Sequence, residues 1–295
     1  MRDTKVRTRK ELDGVLTIPF LGNIPRHGNK KGGDSDGIVV RENSRDSVSE
    51  AFRIIRTNMD FMRVKSDKLQ VVMFTSANPG AGKTFVSSNL AMSIAQTNKR
   101  VVLIDVDIRK GTLSGIFSNS SNRMGLTHYL SGSTDKVDDI VGTSEEYEKL
   151  DVIFSGPVPP NPAELLLSER FDRLITELRK RYDYIIVDNV PAGMVADASI
   201  VNRVADLTIF VVRSGVMDRR QLPELENMYR QEQLRNMSVI LNGVPSDHKG
   251  YGYGYGYGYG YGYGYGYGYG DENHDHKHGK CKSLKNLFSC FLKRS

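Results

Sequence analysis

Apolar residues recur along this chain in two rhythms. Val71-Val72-Met73-Phe74, Val101-Val102-Leu103-Ile104, Tyr184-Ile185-Ile186-Val187 and the stretch from Leu207 to Val212 are short runs with few polar breaks. That is the pattern of strands covered on both faces, as in a parallel sheet. Asp151 to Phe154 and Met237 to Leu241 add two more strands. Between them the period becomes helical. Val48, Phe52, Ile55 and Met59 fall at spacings of four, three and four in a helix predicted from Ser44 to about Val64. Helical patterns also cover Phe85 to Gln96, Gly125 to Leu130, Ala163 to Lys180 and Asp218 to about Gln233, and Pro157 to Pro162 forms a stiff connection. Strands alternating with helices predict an α/β fold, a mostly parallel β-sheet flanked by helices on both faces with right-handed crossovers.

The rhythm is lost at both ends, which divides the chain into residues 1–43, 44–248 and 249–295. The first part is basic, then Gly-rich and polar, with one apolar island from Val15 to Pro25 that is expected to dock on the domain surface as a short extended piece. The last part opens with ten Tyr-Gly units from Tyr251 to Gly270. Every second residue there is glycine, so no packed fold follows and a disordered tail is expected. The tract reads either as a self-associating segment or as a set of phenols on a tether, free to enter an active site one at a time. Beyond it, Leu284, Leu287, Phe288, Phe291 and Leu292 recur at helical spacing among lysines and an arginine. That basic amphipathic helix suits either an anionic leaflet or the protein's own body.

Charge and cysteine usage narrow the setting. The net charge of +6 is concentrated at the two ends, which points to an anionic membrane surface rather than to nucleic acid. Both cysteines, Cys281 and Cys290, lie in the last fifteen residues, so a disulfide framework is excluded and a reducing cytosol is expected. No apolar run approaches the ~18 residues of a membrane-crossing helix, and no signal-peptide pattern opens the chain.

The chemistry begins where the first strand ends. Ala77-Asn78-Pro79-Gly80-Ala81-Gly82-Lys83-Thr84 breaks the apolar run with a Gly/Pro turn, and Phe85 continues into a helix. Strand, glycine loop and helix in that order make a nucleotide-phosphate site of the P-loop NTPase type. Glycines let the backbone curl around an anion and point successive N–H groups at it, while the helix adds its positive end. Residues Asn78 to Phe85 are therefore the expected ATP-binding segment. Lys83 reaches the β- and γ-phosphates, and the Thr84 hydroxyl ligates Mg²⁺. Ala77 stands where the motif usually begins with glycine. Asp105 and Asp107 stand at the carboxyl end of the next strand, where ligands bind in open α/β sheets, and two carboxylates beside a triphosphate imply a divalent cation between them. Asp188 closes a third buried strand and is the expected carboxylate partner of the phosphate loop, in the Mg²⁺ shell directly or through water. By contrast, His128 reads as an ordinary packed or surface histidine, since no second ligand lies near it in sequence. On pattern alone, Glu50, Arg53 and Arg56 read as a solvated charged face.

With these motifs in place, most of the chain resembles the bacterial tyrosine kinases, more closely the cytoplasmic domain of the polysaccharide co-polymerase kinases that regulate capsule and exopolysaccharide export. Pro19-Phe20-Leu21-Gly22-Asn23-Ile24-Pro25 is similar to the juxtamembrane segment of that family. Glu50, Arg53 and Arg56 match its Glu-x-x-Arg-x-x-Arg motif, and Pro159-Pro160-Asn161-Pro162-Ala163-Glu164-Leu165-Leu166 matches another signature. The resemblance implies ring assembly through Glu50, Arg53 and Arg56. It also implies phosphorylation of a tyrosine-rich tail, here Tyr251, Tyr253, Tyr255, Tyr257, Tyr259, Tyr261, Tyr263, Tyr265, Tyr267 and Tyr269. It implies ATP and Mg²⁺ as cofactors, with Thr84, Asp105 and Asp188 at the metal. Lys83 and Arg109 neutralise the γ-phosphate, and Asp107 orients the attacking phenol or accepts its proton. It further implies residence at the cytoplasmic face of the bacterial inner membrane, a membrane-embedded co-polymerase or adaptor segment, a cognate tyrosine phosphatase and the polysaccharide export machinery as partners. Two positions depart from the family: Asn189-Val190-Pro191 follows Asp188 where a small hydroxyl residue and two prolines are usual, and Ala81 replaces a common acid.

A MinD/ParA-type ATPase, cycling on a membrane or nucleoid without modifying anything, would share the sheet and the paired aspartates. That group places a second lysine near the start of the loop, where this chain has Asn78, and it gives the Tyr-Gly tract no role.

Overall fold

In the computed structural model, residues 4–27, 37–63, 69–117, 124–143, 148–192 and 197–245 are described. They build one eight-stranded sheet: β1 (Phe20–Pro25), β2 (Val71–Thr75), β3 (Val101–Asp105), β4 (Val141–Thr143), β5 (Leu150–Ile153), β6 (Tyr184–Asp188), β7 (Leu207–Arg213) and β8 (Met237–Val244). Their spatial order is β1-β8-β7-β2-β6-β3-β5-β4, parallel throughout except for the antiparallel pair β4 and β5. The Tyr-Gly tract and the basic amphipathic segment lie outside the described residues.

Alternation along the central strands explains the two-sided cover. Side chains of a strand point to opposite faces in turn. Val71 and Met73 of β2 therefore enter one core, with Val102 and Ile104 of β3. Phe171, Leu174 and Leu178 of helix α6 (Glu169–Arg181) fill that side. Val72 and Phe74 enter the other core, under Phe52 and Ile55 of α2 (Ser47–Arg63) and Leu90 and Ile94 of α3 (Lys83–Ala95). The remaining helices are α1 (Arg9–Asp13), α4 (Leu126–Leu130), α5 (Pro162–Leu167), α7 (Asp197–Asn202) and α8 (Leu222–Arg230). No helix among the described residues is long and apolar enough to cross a membrane.

The apolar stripe of α2 packs as its spacing predicts. Val48, Phe52, Ile55 and Met59 are all buried, and the Phe52 ring meets Phe85 edge-on at 6.1 Å between centroids. Phe52→Ala leaves a cavity between α2, α3 and the sheet, and should cost about 3–5 kcal/mol, read as a fall in the midpoint of chemical denaturation.

Two stretches differ from the sequence expectation. The island expected to dock as a separate extended piece is an integral strand: its Phe20–Pro25 segment pairs in parallel with β8 at the sheet edge. Thr17, just before it, gives its N–H and hydroxyl to the buried Glu226 carboxylate at 2.8 and 2.7 Å, a bond between residues 209 apart that local pattern does not encode. The helix expected from Ala163 to Lys180 is two helices, broken at Ser168, whose ψ of 151° is extended. The Ser168 hydroxyl donates to the Leu165 carbonyl at 2.7 Å, a local bond that competes with continuing the helix.

Candidate active site

The phosphate loop leaves the centre of the sheet, because β2 lies between β6 and β7. Gly80 and Gly82 take φ values of +75° and +84°, where a side chain is strained. Nothing lies within 4 Å of the place a Cβ on Gly80 would occupy, so the loop is open there. A Cβ on Gly82 would collide with the Asn242 amide. Lys83 begins α3 and is half-buried, with the Asp188 and Asp107 charges acting on its ammonium. Burial lowers its pKa, and those two charges oppose the fall. The Asn78 amide donates to Gln221 at 3.3 Å, and the Ser76 hydroxyl holds the Asn78 carbonyl at 2.8 Å.

Strand register brings the other carboxylates to the same edge. Asp105 at the end of β3 stands directly across from Asp188 at the end of β6, and Asp188 pairs on its other side with Phe74 of β2. Both are almost completely buried, at 1% and 2% exposure. Asp105 accepts the N–H of Thr112 at 2.8 Å, of Leu113 at 3.0 Å and of Asp107 at 3.1 Å. Even so, burial and then the charge of Asp188 raise its pKa to about 7. Burial raises Asp188 to about 6, against the opposing hydroxyl of Thr84 and the ammonium of Lys83. One oxygen of Asp188, Oδ1, is buried without a hydrogen-bond partner among the described residues. The Thr84 hydroxyl lies 3.1 Å from that of Thr112.

Two buried carboxylates, one with an orphaned oxygen, beside a threonine hydroxyl and at the mouth of an amide-lined loop, fit a hard divalent cation. Among the described residues no three His, Cys, Asp or Glu side chains converge as a self-sufficient metal site.

Asp107 and Arg109 follow on a tight turn. Asp107 accepts the Lys110 N–H at 3.2 Å on its carboxylate and the Gly111 N–H at 2.8 Å on its carbonyl, while Arg109 is exposed. The family departure after Asp188 is structurally anchored. Asn189 turns its Oδ1 to the Val190 N–H at 2.8 Å, and Thr75 at the end of β2 and Ser76 after it bind the Val190 carbonyl and the Ala192 N–H at 2.9 Å each.

The structure does not bring Glu50, Arg53 and Arg56 into this group. They lie along α2, where Arg53 pairs with Glu50 at 2.9 Å and Arg56 donates to the Ser93 carbonyl of α3, with burial holding its pKa down. His128 accepts the Gly125 N–H at 3.0 Å, the ordinary packed role. Two site residues went unread in the sequence. Thr112 carries no motif. Asn242 offers only the weak signal of a polar residue and a glycine closing an apolar strand.

Comparison with known proteins follows the same lines. Residues 69–233 match the AAA-domain family. Tyrosine-protein kinase CpsD of Streptococcus pneumoniae is 37% identical over 195 residues, covering 66% of this chain and 84% of that protein. Tyrosine-protein kinase YwqD of Bacillus subtilis is 40% identical over 204 residues, covering 69% of this chain and 84% of that protein. Among solved structures, the kinase domain of Escherichia coli tyrosine kinase ETK is similar at a TM-score of 0.71 and 32% identity, covering 85% of this chain and 100% of that one.

Proposed function

This chain belongs to the bacterial tyrosine-protein kinases, and from that membership we propose that it transfers the γ-phosphoryl group of ATP to the tyrosines of its own Tyr-Gly tail. The observation that carries the reading is the register of Asp105 with Asp188, which sets a buried, incompletely satisfied carboxylate beside Lys83 and Thr84.

Thr84, Asp105 and Asp188 would hold Mg²⁺, which supplies charge neutralisation to the phosphates when bound. Lys83 and the loop amides bind the β- and γ-phosphates, and Arg109 adds charge from the rim. Positioning carries most of the catalysis in phosphoryl transfer. A phenol with a pKa near ~10 is a poor nucleophile at neutral pH, so Asp107 orients it or takes its proton. ADP and phosphotyrosine leave.

The tail's twenty Tyr-Gly residues extend roughly 65–70 Å, so a neighbouring subunit's site is within reach. The reading is therefore transfer in trans inside a ring held through Glu50, Arg53 and Arg56. Its setting is the cytoplasmic face of the inner membrane, beside a membrane-embedded co-polymerase segment. Tail phosphorylation, reversed by a tyrosine phosphatase, would regulate capsular or exopolysaccharide export. A subunit truncated after residue 248, mixed with full-length Lys83→Met, should place phosphotyrosine on the inactive partner. No phosphotyrosine in the mixture, with the full-length wild type active alone, would contradict transfer in trans.

A further inference from the structure

We propose that Asn242 is a positioning residue of the phosphate loop, its side-chain amide fixing the Ala81–Gly82 peptide so that the Gly82 N–H is presented to the phosphates. The proposal rests on the reading of this loop as the nucleotide site and adds a residue from outside the motif to it.

Asn242 lies near the end of β8, two strands away from β2, and is 1% exposed. Its Nδ2 donates to the Ala81 carbonyl at 3.0 Å. A trans peptide is planar, with its C=O and N–H pointing opposite ways. Turning the Ala81 carbonyl back toward β8 therefore turns the Gly82 N–H away from β8. Left without such a tether, a glycine-flanked peptide is free to flip and offer an oxygen to the phosphates instead.

The surroundings are shaped for this contact. Gly82 sits in the left-handed region, and the side chain it lacks would collide with the Asn242 amide, with Arg213 Nη1 at 3.3 Å beyond it. Gly243, at φ +75°, leaves the matching space on the other side, where a Cβ would stand 2.9 Å from Arg213 Nε. Burying an amide at the end of an apolar strand is costly unless it is bonded, and a branched apolar residue would complete β8 without that cost. The polar side chain belongs to the loop rather than to the sheet. The amide donates to a carbonyl without having to be protonated first, which a carboxylate cannot do.

Asn242→Leu keeps a branched side chain and removes the donor without adding a charge beside the phosphates. ADP affinity should fall about 10- to 100-fold, while adenosine, which has no phosphate, binds within about twofold of wild type. The overturning results are an ADP affinity within about threefold of wild type, or equal losses for ADP and adenosine, which would make Asn242 a base contact or a general prop. Should the variant fail to fold, wild-type protein labelled with ¹⁵N-glycine decides the point. The Gly82 amide resonance should shift with ADP and stay in place with adenosine, and an unmoved resonance under saturating ADP overturns the proposal. Wild-type protein that binds no ADP at all would instead remove the nucleotide reading itself.

Discussion

Lys83→Met should reduce tyrosine phosphorylation by roughly 10³-fold or more while leaving the fold intact, since removing one cation that meets transition-state charge costs on that scale. The substitution keeps most of the side chain's apolar length and deletes only the ammonium. Lys83 occupies the first position of α3, so its backbone N–H is one of the helix's free donors and survives the change. What is lost is the charge that interacts with Asp188 and Asp107. Those carboxylates then face the nucleotide less compensated, and binding of ATP should weaken along with turnover. Quantitative phosphotyrosine detection under saturating ATP checks this. Activity within about tenfold of wild type would mean that the positive charge at the γ-phosphate comes from elsewhere.

Asp188→Asn should abolish transfer and yet make the nucleotide-free protein more stable. In the folded state burial raises Asp188 to about 6 and Asp105 to about 7, both above the ~3.9 of an unfolded aspartate. Between those limits the native state binds more protons than the unfolded chain. Without metal and nucleotide, stability is therefore highest below about pH 4 on account of this pair, and falls as pH rises through 6 and 7. Displacements of this size correspond to about 3–4 kcal/mol at one site. Replacing one carboxylate by the isosteric amide removes its burial penalty and relieves its neighbour. Melting temperature at pH 8 in EDTA should rise by several degrees, up to ~10 °C, and the decline between pH 4 and 7 should shrink. Mg²⁺ and ADP should stabilise wild type and have little effect on the variant. A variant less stable than wild type under these conditions would mean that the carboxylate pair is not a strained, cation-requiring site.

The parts of this site that were legible in sequence are those whose chemistry is local. Gly80, Gly82, Lys83 and Thr84 are fixed by spacing within one turn, and Asp105 and Asp188 by standing at the ends of buried runs. Parallel pairing then had only to align the strands for the two carboxylates to meet across β3 and β6. The unread contacts span the chain. Thr112 reaches Asp105 by a backbone N–H, which any residue but proline could supply, so this contact left no trace in its side chain. The tie from Thr17 to Glu226, and with it the place of β1 at the sheet edge, depends on a residue pair that no window of sequence contains. Arg56 shows a different limit. Its spacing with Glu50 and Arg53 places it on one face of α2, but pattern does not say that this guanidinium donates to the Ser93 carbonyl and hydroxyl of α3. Ser168 is a third case: one predicted helix is two, broken where its hydroxyl bonds the Leu165 carbonyl, which residue pattern did not mark.

The most direct test of the account is intact-mass spectrometry of the full-length protein before and after incubation with Mg-ATP. Self-phosphorylation of the tail predicts a ladder of steps of about 80 Da, up to ten of them, one for each tyrosine of the Tyr251 to Gly270 tract, mapping to the fragment beyond residue 248. An unchanged mass while ATP is still hydrolysed would contradict it, and would leave a nucleotide-cycling protein whose tyrosine tract serves some other end.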